Sequence, residues 1–139
     1  MDNDTRYRLE VVAPVFPVIN IRRSLKYYTE ALTFDVSFEW SDSENEPVRY
    51  AILRSGNTEL HLSEAEGVHR AVAYFFVDSV AAYYETIKKK GAEITRGIED
   101  FPWDMREFEV SDPDGNRIVF GEHLSRIEDD SDSEGGGVS

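Results

Sequence analysis

The chain has 139 residues, 40% hydrophobic, 12% aromatic and 31% charged, enough for one substantial core and too few for two independent domains of ordinary size. Twenty-eight acidic against 15 basic side chains give a formal net charge of -13, which argues against direct nucleic-acid binding and favours neutral or cationic partners. The absence of cysteine excludes disulfides and thiolate chemistry, and no apolar run approaches bilayer length, so a soluble cytoplasmic protein without membrane attachment is expected.

Leu9 to Ile21 is rich in Val, Ile and Phe, but Pro14 and Pro17 remove ladder donors, so a broken edge or terminal strand is predicted. From Arg22 to Leu32, Leu25, Tyr28 and Leu32 recur at helical spacing beside Lys26 and Glu30. That pattern predicts a short amphipathic helix, with Asn20 or Ser24 as its cap. Phe34, Val36, Phe38 and Trp40 alternate with Asp35, Ser37 and Glu39, the period of a strand with one apolar face. An acidic loop from Ser41 to Pro47 precedes two further strands, Val48 to Arg54 and Thr58 to Ser63, joined by Ser55-Gly56-Asn57.

The order then repeats. Ala71 to Val77 reads as a strand, and Ser79 starts a helix with Val80, Tyr83, Tyr84 and Ile87 on one broad side. Lys88, Lys89 and Lys90 suit the negative end of that helix, and Gly91 suits its terminator. Strands are predicted at Ala92 to Arg96, Arg106 to Val110 and Arg117 to Gly121, the last two joined by Asp112-Pro113-Asp114-Gly115, a type I turn sequence. Tyr27-Tyr28 and Tyr83-Tyr84 are expected at matching places in the two helices. The expected organisation is one α+β domain over 1–127, built from modules at about 9–63 and 70–123 that share a core, and an acidic, glycine-rich disordered tail over 128–139.

Pro102-Trp103-Asp104-Met105-Arg106-Glu107-Phe108 followed by Asp112-Pro113-Asp114-Gly115-Asn116, with Ser24-Leu25-Lys26-Tyr27-Tyr28 and Val77-Asp78, resembles the vicinal oxygen chelate superfamily of glyoxalases, bleomycin-resistance proteins and dioxygenases. The branch it looks most like is the bleomycin-resistance one, over roughly Val11 to Glu122. Thr33 and Asp104 stand where that family usually has glycine.

The resemblance implies two βαβββ modules, each giving half of a cupped mixed β-sheet. In the family's enzymes it implies a divalent metal held from the first and fourth strands of each module, places that fall here on Ala13, Glu59, Val72 and Val119. Methyl and isopropyl groups have no lone pair to give, so three of those four cannot ligate; no catalytic residue, metal or cofactor is expected. The alternative is a lyase, isomerase or dioxygenase-like enzyme with a displaced metal set of Glu59, His61 and His123 acting on a small substrate. The ordinary role for His61 is a hydrogen bond within the sheet, and for His123 a solvated strand end.

For the binding branch, the resemblance implies a homodimer whose interface clefts sequester a cationic aromatic antibiotic of the bleomycin type and so confer resistance. It allows the first strand to be exchanged between subunits. Phe38 corresponds to one aromatic wall of the cleft and Trp103 to the opposing wall. Even spacing puts Trp40 beside Phe38, either in the cleft or at a core or dimer contact. Asp35, Glu39 and Glu107 are candidates for complementing the cation, with a solvated face as their ordinary role. Arg106 is expected to pair with a neighbouring acid and hold the Trp103 segment.

Overall fold

Each half of the chain lays down a strand, crosses through a helix and returns as a three-stranded meander. The computed structural model describes residues 6–127 other than residue 68, so the tail expected at 128–139 lies outside the described residues. The first module comprises β1 (Val15–Val18), α1 (Ile21–Lys26), β2 (Asp35–Ser41), β3 (Val48–Ser55) and β4 (Thr58–Glu64). The second comprises β5 (Val72–Phe76), α2 (Val80–Lys89), β6 (Glu93–Phe101), β7 (Met105–Ser111) and β8 (Arg117–His123). The fold is α+β, with two four-stranded mixed sheets ordered β1-β4-β3-β2 and β5-β8-β7-β6. In each, the first and fourth strands of the module pair in parallel and the other neighbours antiparallel.

Both helices start the same way. Asn20 accepts from the Arg23 amide at 3.1 Å and Ser79 from the Ala82 amide at 3.2 Å, meeting the need of orphan amides in a first turn. A carboxylate from the module's last strand adds a second acceptor: Glu64 for the Ile21 amide at 3.1 Å, Glu122 for the Val80 amide at 2.8 Å. Ser24 lies inside α1, where its hydroxyl reaches Asp114 at 3.3 Å instead of capping.

After Lys26 the first helix widens into a π-helical turn over Tyr27–Ala31. Tyr27 then donates to the Ser111 carbonyl at 2.7 Å and Tyr28 to the Asp112 carboxylate at 2.9 Å. Counted from Ile21 and Val80, Tyr83 and Tyr84 come about one turn earlier in α2 than Tyr27 and Tyr28 do in their helix, so the expectation of matching places is corrected. Tyr83 donates to the Leu32 carbonyl at 2.7 Å. Tyr27 and Tyr83 thus each tie their own module to the other.

The two modules share one core. Phe16, Leu25, Tyr28, Leu32, Leu53 and Leu62 from the first pack with Val80, Ile87, Phe108, Ile118 and Phe120 from the second. At its edge, Asp112 accepts from the Asp114 and Asn116 amides at 2.8 and 2.9 Å, while the Asn116 side chain donates to the Pro17 carbonyl and accepts from the Ala71 amide. The turn motif therefore pins the start of β5 to β1.

Three expectations are revised. The Leu9 to Ile21 strand shrinks to the four residues of β1, and Tyr7, Leu9, Val11 and Val12 stand exposed beside it. Pro14 and Pro17 supply no amide to a ladder, which leaves room only for a short edge strand. β6 runs on past Arg96 to Phe101, because Pro102, Trp103 and Asp104 form a tight turn with Asp104 at φ 69°. Thr33 has φ 67°, so both residues that stand where the resemblance expects glycine take a left-handed backbone.

The third revision concerns β2. Its ladder pairs Val36 with Leu53 and then, after an irregularity, Phe38 with Ile52 and Trp40 with Tyr50. Ser37 is the extra residue, and such a bulge reverses strand parity. Val36 therefore lies on the core face with Leu53, whereas Phe38 and Trp40 lie on the opposite, open face with Tyr50.

Candidate functional site

The helices cover one face of each sheet and leave the other open. The open face of the first module carries Phe38 and Trp40, 48% and 47% exposed, although both are large apolar groups. With Tyr50, Asp42, Arg49, Ser63 and Glu64 they line a shallow cleft of about 390 Å³. Asp35 pairs with Arg54 on this same face, but Glu39 pairs with the core residue Ala51 and so projects from the other one. The bulge that turns Phe38 outward is what separates Glu39 from it.

Beside the aromatic pair, on the same face, runs a chain of polar side chains. Tyr50 Oη and His61 Nδ1 are 2.6 Å apart, and His61 Nε2 and Glu59 Oε2 are 2.8 Å apart. Arg54 approaches the other Glu59 oxygen at 3.3 Å. The hydrogen bond from His61, with the Arg54 charge behind it, holds the Glu59 carboxyl below the usual carboxylate range.

The open face of the second module centres on Glu107, which is 6% exposed. Its Oε2 accepts from the Tyr74 hydroxyl at 2.8 Å and from the Trp103 indole at 3.1 Å, while Arg96 reaches Oε1 at 3.5 Å. Trp103 stacks on Phe101 with centroids 4.6 Å apart and planes 13° from parallel, and the Arg96 guanidinium lies 4.9 Å over Phe101. Burial first, then the bond to Glu107, pushes the Tyr74 phenol well above its ordinary pKa. Arg106 binds Asp100 through two nitrogens at 2.7 and 3.1 Å, closing the hairpin that presents Trp103. Glu107 is therefore a buried acceptor that sets the aromatic surface, where a solvated acid was the ordinary expectation.

The four family metal positions are placed as follows. Val72 and Val119 lie on the second open face, and Glu59 on the first; Ala13 precedes β1. None but Glu59 has a donor side chain. Of the displaced set, Glu59 and His61 meet, but His123 belongs to the other sheet, where it stacks on Phe76 at 5.7 Å and lies 3.8 Å from Asp104. Among the described residues, no group of three or more His, Asp or Glu side chains could hold a metal ion, and the residues present do not fit one.

Tyr50, Tyr74, Arg96 and Phe101 escaped the sequence reading. Tyr74 sits in an almost continuous apolar run that hid its hydroxyl, although a hairpin about Ser55-Gly56-Asn57 does bring Tyr50 back towards His61. Phe38 and Trp103 do both reach open faces, but on different sheets of the one chain.

Residues 10–120 match the model of the Glyoxalase/Bleomycin resistance protein/Dioxygenase superfamily. No match was found among curated proteins. Several solved structures share the fold. TioX from Micromonospora sp. ML1 superposes with a TM-score of 0.72 at 18% identity, covering 83% of this chain and 99% of that one. The bleomycin-binding protein from bleomycin-producing Streptomyces verticillus, complexed with copper(II)-bleomycin, gives 0.68 at 21% identity over 82% and 96%. A lactoylglutathione lyase from Agrobacterium tumefaciens gives 0.66 at 12% identity over 84% and 95%. At these identities the likeness is one of fold, shared by a binding protein and a lyase alike. With the family model spanning most of its length, the chain belongs to the glyoxalase/bleomycin resistance protein/dioxygenase superfamily.

Proposed function

We propose that this member of the superfamily binds and sequesters a planar, cationic aromatic molecule of the bleomycin type, without a metal of its own, in clefts formed where two copies of the chain meet. The observation that carries the reading is the pair of exposed aromatic surfaces, Phe38 with Trp40 and Trp103 on Phe101, each set on an open sheet face. Half-exposed aromatics over fixed polar groups are the usual makings of a site for a flat ring system. The reading sets Phe38 of one copy against Trp103 of the other, as the resemblance implies for the binding branch. The bleomycin-binding neighbour supports the ligand class only through the shared fold.

The charge agrees. A net charge of -13 raises the local concentration of a cationic ligand, and Asp35 and Asp42 lie on or beside the Phe38 face. The side chains at Ala13, Val72 and Val119 offer no donors through which a metal-dependent turnover could run.

Titration of intrinsic tryptophan fluorescence with metal-free and copper-loaded bleomycin, in parallel with light scattering, tests the reading. Saturable quenching at about one ligand per subunit of a dimer is expected, weakened about tenfold or more in Trp103→Ala, since a stacked aromatic anchor is commonly worth that much. A monomer that binds neither form would overturn it.

A further inference from the structure

The chain Tyr50–His61–Glu59 has a direction. An ionised carboxylate can only accept hydrogen bonds, so the His61 nitrogen 2.8 Å from Glu59, Nε2, is the one that carries hydrogen. In the neutral ring the other nitrogen is then a bare acceptor, and Nδ1 accepts a hydrogen bond from the Tyr50 hydroxyl across 2.6 Å. A phenolic oxygen has a single proton, and here it points along the open face to His61. What Tyr50 presents to the cleft of Phe38 and Trp40 is therefore lone pairs only.

We infer that the first module's open face selects aromatic cations that bring a hydrogen-bond donor, such as a phenolic hydroxyl, to the Tyr50 oxygen while the ring lies against Phe38 and Trp40. The inference rests on the small-molecule reading above and narrows its ligand class. Glu59 is held by both His61 and Arg54, Arg54 pairs in register with Asp35, and the β1 residue level with His61 is Val15, which has no titratable group. A ligand that offered an ether oxygen instead would set lone pair against lone pair and leave the cleft-facing lone pairs of Tyr50 unmatched. Sites built to pair with one hydroxyl reject analogues lacking it far more strongly than apolar pockets reject a missing methylene.

Two soluble cationic probes isolate the donor: serotonin, and 5-methoxytryptamine, in which that hydroxyl is a methyl ether. Calorimetric titration at about pH 8, above the usual imidazole range, is expected to show serotonin binding about tenfold more tightly, the smaller end of what such discrimination reaches at a half-open site. In Tyr50→Phe, which keeps the ring, the two probes should bind alike. Nitrogen-15 spectra of the ligand-free protein should show His61 with its proton on Nε2. Equal affinities in the wild type, a preference that survives in Tyr50→Phe, or a proton on Nδ1 overturns the inference and leaves the cleft standing. Failure of both probes and of bleomycin to bind overturns the cleft itself, and this inference with it.

Discussion

The Tyr74 hydroxyl occupies the space that a side chain at Gly121 would need, and from there it donates to Glu107 at 2.8 Å. Phe76, not Tyr74, is level with Gly121 in the ladder, so the phenol leans along the sheet over the one residue of β8 that has no Cβ. The Trp103 surface depends on this arrangement, because Tyr74 and Trp103 share the same carboxylate oxygen.

Gly121→Ala should therefore expel Tyr74 from its seat. The overpacking is expected to cost about 1–3 kcal/mol of stability in denaturant unfolding. Tryptophan emission should change too, since Glu107 loses a partner beside Trp103. A variant as stable as the wild type, with unaltered emission, would show that Tyr74 does not occupy this position.

Asp112 is tied to Tyr28 by a buried hydrogen bond at 2.9 Å and to the amides of its own turn. Tyr28→Phe removes one donor and is expected to cost about 1–2 kcal/mol, whereas Asp112→Ala strands several donors at once and should cost about 3 kcal/mol or more. The double variant should cost less than the sum of the two, as residues in one network do. Strict additivity in a double-mutant cycle would mean that the two side chains act separately.

Thr33 holds φ 67° although it is β-branched, a backbone region that disfavours such residues. Thr33→Gly relieves a left-handed penalty of about 1–2 kcal/mol and adds a smaller entropic cost in the unfolded chain, so the variant should be about 1 kcal/mol more stable. Asp104 is a different case at φ 69°, because its carboxylate also accepts from Ser125 through the amide and the hydroxyl. Asp104→Gly should gain nothing. A lower melting temperature for Thr33→Gly would refute the argument.

Burial raises the phenol pKa of Tyr27, Tyr28 and Tyr74, and pushes Tyr83 up to about 12. The folded state favours the neutral phenol, so this stabilisation is whole below the unfolded phenol value of about 10 and is lost as pH rises through the folded values. Phenolate absorbance from these four tyrosines should thus appear late, together with the loss of circular dichroism. A single early step for all seven tyrosines in a still-folded protein would contradict it.

Much of the fold can be read in the sequence where a local rule has one solution. Asn20 and Ser79 cap the helices, Asp112-Pro113-Asp114-Gly115 turns the last hairpin with the Gly115 amide on the Asp112 carbonyl at 3.1 Å, and the doubled βαβββ order follows from the alternating periods. The candidate site is less legible. Phe38, Trp40 and Trp103 stand exposed, but one bulge at Ser37 moves Val36 and Glu39 away from the Phe38 face. A bulge leaves no mark in a clean alternation of polar and apolar residues, because it arises from the ladder to β3 and not from β2 itself.

The sequence by itself determined the class, the acidic balance and the lack of donor side chains at Ala13, Val72 and Val119, since these depend on residue identity and short-range geometry. Only the tertiary structure decided that Glu107 is a buried acceptor, that Tyr74 sits over Gly121, and that Tyr50, His61 and Glu59 form one directed chain. These are contacts between strands. Which side chains meet across a sheet is set by register, and register is fixed by the packing of all the strands on the shared core.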